Sequence, residues 1–123
     1  MRESTLWRWH MLAGAVVFFL LGLHMVIMHL DDILLAIGAG HGKAIDTTVV
    51  FERSKQAFFM VTYVILLGAA LYHGLYGMRN ILFELTLKKG WETLINRIFI
   101  VVGLGLFIYG TYVAVFVFLN GEV

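Results

Sequence analysis

Three apolar runs dominate this 123-residue chain, at about 11–30, 57–83 and 95–119. Each holds roughly the 20 residues a helix needs to cross the hydrocarbon core of a bilayer. No proline interrupts any of them, and a helix pairs its own backbone polar groups, as lipid demands. The chain is 61% hydrophobic, well outside the roughly 45–50% of soluble domains. The first run is too long for a signal peptide and lacks a small-residue cleavage ending. The expectation is an all-α membrane protein: one transmembrane domain over 1–123, with three helices running up-down-up. The spans are expected at about 8–36, 55–84 and 93–119.

Lysine and arginine set the expected orientation. The N-terminus and second loop hold Arg2, Arg8, Arg79, Lys88, Lys89 and Arg97, against Lys43, Arg53 and Lys55 on the other side. Six against three predicts a cytoplasmic N-terminus and an external C-terminus, in the inner (cytoplasmic) membrane of a cell. Trp7, Trp9 and Trp91 then fall in one interfacial aromatic belt. A net charge of +1 offers no basic face for nucleic acid. The chain has no cysteine, which excludes disulfides and thiolate-held iron–sulfur clusters from it.

Ionisable side chains inside a bilayer are costly, and they face a protein interior or carry function. The chain has five histidines. His10, near the start of the first span, reads as interfacial, and His41 lies in a glycine-rich loop. His73 stands within "GAALYHGLYGMRN". Ala69, Ala70, Tyr76 and Gly77 share its face at helical spacing, and three of these four are small. A small-residue stripe serves close helix packing. It also leaves room for a flat macrocycle beside an imidazole that can ligate haem iron. Three readings are open for His73: a haem ligand, a buried hydrogen-bonded histidine, or a proton relay. In the first span His24 and His29 point about 140° apart around the helix, so one haem face admits only one of them. His24 is the deeper, and His29 precedes Asp31 and Asp32 at the expected interface.

Helix arithmetic separates His24 from His73 in depth. From Trp7 to His24 is about 25 Å of helix, and from His73 to Glu84 about 16 Å. If Trp7 and Glu84 mark one boundary, the two histidines differ by roughly 9 Å. That is awkward for a single iron and suits two stacked haems, each completed by a ligand from another chain.

The blocks "TLWRWHMLAGAVVFFLLGLHMVIM" (5–28) and "LYHGLYGMRNI" (71–81) resemble the membrane-anchor cytochrome b subunits of complex II, the succinate dehydrogenases and fumarate reductases. The resemblance is to the small three-helix anchor of the two-haem, two-anchor type, and with the third span it covers nearly the whole chain. It implies that His24 and His73 are axial ligands of haem iron. It further implies that Trp7 and Arg53 lie near haem propionates. Arg79, two turns beyond His73, is a further propionate partner by charge-assisted hydrogen bonding. For both arginines the plain reading is a snorkelled interfacial charge. Single-haem relatives of the ubiquinone type carry an Asp–Tyr pair after the histidine motif. Glu84 and Leu85 stand there in this chain, and leucine donates no hydrogen bond to a quinone.

The resemblance implies an electron-transfer anchor of a succinate:quinone oxidoreductase, with two b haems shared with a second membrane-anchor subunit. Its other partners would be an iron–sulfur subunit, a flavoprotein subunit, a membrane quinone and the lipid bilayer. Succinate and fumarate chemistry would lie in the other subunits, since this chain has no dinucleotide fingerprint. The alternatives are a cytochrome b anchor of a different membrane dehydrogenase, and a haem-free structural membrane subunit.

Overall fold

A computed structural model describes residues 2–38 and 57–120. Three helices occupy them: α1 (Glu3–Ala36), α2 (Ala57–Phe83) and α3 (Lys89–Asn120). Each is long and apolar enough to cross a membrane, and no strand occurs among the described residues. The expected all-α fold of three spans is therefore present.

Two helices start earlier than the expected spans. α1 begins at Glu3 rather than near residue 8. An acidic residue in the first turn complements the helix dipole, and the carbonyl of Arg2 accepts the amides of Thr5 and Leu6. α3 begins at Lys89 rather than near residue 93, with Glu92 in its first turn and the carbonyl of Lys88 accepting the amides of Trp91 and Glu92. Hydropathy is blind to these turns because they are polar. α1 ends where Gly38 takes φ +78°, a left-handed conformation that glycine adopts without penalty. Between α2 and α3, Thr86 is left-handed at φ 52°, a conformation a β-branched residue rarely adopts.

α2 lies in the middle and packs on both neighbours, while the described parts of α1 and α3 do not pack on each other. The residue pairing makes each neighbour antiparallel to α2. Gly14 lies against His73, and His24 against Tyr63. Likewise Gly68 lies against Phe107, Gly103 against Leu75 and Gly110 against Leu67. A Cβ at Gly103 would sit 2.9 Å from a Leu75 methyl. Small residues let the backbones approach where the bilayer supplies no hydrophobic drive between helices.

Only Tyr76 and His10 are buried among the described residues. Many of the large apolar side chains along all three helices are exposed, as they are where lipid or another subunit takes the place of a core.

Candidate functional site

The two buried residues meet at one place, on the α1–α2 interface. His73 projects from the middle of α2 onto α1 at Gly14. A Cβ on Gly14 would lie 2.9 Å from Cε1 of His73 and 3.0 Å from its Nδ1, so only glycine leaves the ring its seat. In a helix the carbonyl of residue i is flanked by the side chain of residue i+4. The bare Gly14 therefore uncovers the carbonyl of His10, one turn below. Nδ1 of His73 lies 3.2 Å from that oxygen. A carbonyl only accepts, so this hydrogen bond requires the proton on Nδ1, and the neutral ring then presents the lone pair of Nε2. Metal-binding histidines commonly have this arrangement, one nitrogen tied to a carbonyl and the other free.

The ring of His10 lies parallel to that of His73, with centroids 4.3 Å apart and planes 2° apart. His10 is 9% exposed, with Trp7 and Tyr76 each 5.2 Å away, ring to ring. Its Nδ1 is buried with no hydrogen-bond partner among the described residues. Sequence reasoning placed His10 at the interface and missed this contact. The signal available was register: His10 and Gly14 are four residues apart on one face, and His10 and His24 are 14 residues apart, within about 40° of each other around α1.

His24 is half-buried on the same interface, edge-on to Tyr63 at 6.0 Å. It lines a cavity of about 20 Å³ with Leu20, Phe59, Thr62 and Leu66, and makes no hydrogen bond to a described residue. His29 is exposed. His24 lies ten residues beyond Gly14, and Tyr63 ten residues before His73. Both routes put the two histidines about 15 Å apart in depth. This replaces the 9 Å expected from chain boundaries. Trp7 and Glu84 do not mark one level, because His73 is level with Gly14. Two nitrogens on one iron lie roughly 4 Å apart, twice a metal–imidazole distance, so His24 and His73 of this chain are too far apart to ligate one iron together.

The small-residue face of α2 divides between two surroundings. A Cβ on Gly77 would come within 3.3 Å of His10, so the imidazole fills the clearance there. Ala69 opens on an apolar cleft of about 480 Å³ between α1 and α2, lined also by Trp9, Ala13 and Tyr72.

Arg79 holds the end of the bundle where α1 begins and α2 ends. It pairs with Glu3 at 3.0 Å. It donates from Nε to Asn96 at 2.6 Å and from a terminal nitrogen to Asn80 at 3.0 Å. Its guanidinium lies 4.2 Å from the Phe83 ring centre. Tyr76 donates to Glu3 at 3.2 Å, and Tyr72 donates to the carbonyl of Leu6 at 2.9 Å. The result is one polar clamp through all three helices, and a propionate at Arg79 would compete with Glu3. Glu84 and Leu85 are exposed just beyond α2. Arg53 and His41 lie outside the described residues.

The donor set fits haem in kind. Among the described residues no three histidine, aspartate or glutamate side chains gather to hold a bare metal ion. A haem iron asks less of the protein, a single imidazole from each side. No family model, curated protein or solved structure matches this chain.

Proposed function

We propose that this chain is a membrane-anchor cytochrome b subunit of a succinate:quinone oxidoreductase, passing electrons between peripheral iron–sulfur clusters and a membrane quinone. The observation that carries the reading is the state of His73. Its Nδ1 is tied to the His10 carbonyl, its Nε2 makes no hydrogen bond to a described residue, and His24 lies about 15 Å away along the same interface. His73 and His24 would each hold one haem iron, with the opposite ligands from a second anchor subunit.

Bound haem supplies reversible one-electron exchange at iron. The chain's own residues do the rest. As neutral imidazoles His73 and His24 would hold haem iron without burying a charge. The Gly14 notch and the His10 carbonyl orient His73. The clamp of Glu3, Arg79 and Asn96 ties the ends of α1 and α2, which carry the two histidines, to α3. The cytoplasmic N-terminus belongs to this proposal, and it places His73 on the side where the peripheral subunits dock.

A haem-free structural subunit is favoured by one observation: His73 already has a stacking partner and a hydrogen bond within the chain. Purification through a tag on this chain separates the readings. The proposal expects a reduced-minus-oxidised spectrum of b type and co-purification of a flavoprotein that oxidises succinate. A b-type spectrum with a different flavoprotein would assign the anchor to another dehydrogenase. Absence of any haem spectrum would leave the haem-free bundle.

A further inference from the structure

We infer that His10 is a positioning residue for His73, fixing the plane of that imidazole and through it one of two redox centres. The inference rests on the haem reading of His73. An imidazole hung from one helix can rotate about its side-chain bonds, and two contacts from α1 remove that freedom here. The carbonyl of His10 holds Nδ1 at 3.2 Å, which sets the tautomer. The ring of the same residue lies flat against His73 at 4.3 Å, which sets the plane. Ring stacking needs no polar contact of its own, and the Nδ1 of His10 makes none among the described residues. A buried, unpaired nitrogen is unfavourable, so hydrogen bonding of Nδ1 to the described residues does not explain the ring's place here. Two glycines make the fit possible. Gly14 seats His73, and Gly77 seats His10. Among the described residues His24 has no such stacking partner: its neighbour Tyr63 meets it edge-on at 6.0 Å.

The orientation of an axial imidazole has a direct signature. In low-spin ferric haem, the g values of the electron paramagnetic resonance spectrum follow the angle between the two axial ring planes. The test uses the purified whole complex with four variants. His10→Ala removes the stacking face, and Gly14→Ala drives a methyl into the seat of His73. His10→Phe restores a flat face. Gly22→Ala is the control, because a Cβ there meets nothing within 4 Å. In His10→Ala and Gly14→Ala one of the two low-spin signals should shift or disappear, with its midpoint potential, while the other stays. It should be the same signal that His73→Ala abolishes. His10→Phe should return it toward the wild-type position, and Gly22→Ala should change neither.

Unchanged signals and potentials in both His10→Ala and Gly14→Ala would overturn the inference. So would joint loss of both haems in those two variants, which would make the pair a support of the whole bundle. A wild-type complex without b haem removes the proposed function and this inference with it. A haem-bearing wild type whose signals ignore His10 removes the inference alone.

Discussion

His73 and His10 show how one missing side chain organises a contact. Gly14 has no Cβ, so a ring from α2 reaches a backbone carbonyl of α1 that a larger residue would cover. On the proposed function His24→Ala and His73→Ala should each remove one haem and keep the other, because about 15 Å of helix separates them. His29→Ala should keep both, as His29 is exposed near the end of α1. Optical redox titration of each variant reads this. Loss of a haem in His29→Ala but not in His24→Ala would reverse the choice of ligand within α1. Arg79 belongs to the same scale. Its side chain is 14% exposed and its partner Glu3 67%. Glu3→Gln should therefore change stability by less than about 1 kcal/mol, as exposed ion pairs do. Arg79→Ala removes bonds to three residues at once and should cost about 1–3 kcal/mol in thermal unfolding of the detergent-solubilised complex. His73 was legible in the sequence because a titratable ring in an apolar run is conspicuous. His10 was not, because near a helix start the interfacial reading explains a histidine equally well. Its burial depends on a residue 63 positions away in the chain.

At the scale of the element, the three helices were legible from hydropathy alone, since only helices and closed barrels satisfy the backbone in lipid. Their starts were not, because capping turns are polar and carry no hydropathy signal. The glycines divide into two kinds that sequence cannot separate. Gly103 and Gly110 of α3 face Leu75 and Leu67 of α2, whereas a Cβ on Gly74 or Gly105 meets nothing within 4 Å. Gly110→Val should force α2 and α3 apart and destabilise the bundle by about 1–3 kcal/mol, the usual range for overpacking. Gly105→Ala should be neutral or stabilise by up to about 1 kcal/mol through helix propensity. Thermal unfolding in detergent compares the two directly. Equal loss in both variants would mean that the α2–α3 contact is not set by the glycines facing it.

At the scale of the whole molecule the described helices form a row with α2 at its centre, and many of their large apolar side chains are exposed. Such a row fits between lipid and a second membrane subunit, the source proposed for the opposite haem ligands. On the proposed orientation, which rests on the charge count, a topology reporter fused after Val123 should be active only outside the cytoplasm. Activity inside would place His73 on the side away from the peripheral subunits. Haem content tests the central claim most directly. A pyridine haemochrome assay against protein mass should give two b haems for each copy of this chain, falling to one in His24→Ala and to one in His73→Ala. A wild-type ratio near one would return the chain to the single-haem type and remove His24 as a ligand, and a b-type spectrum indifferent to both substitutions would contradict the account outright.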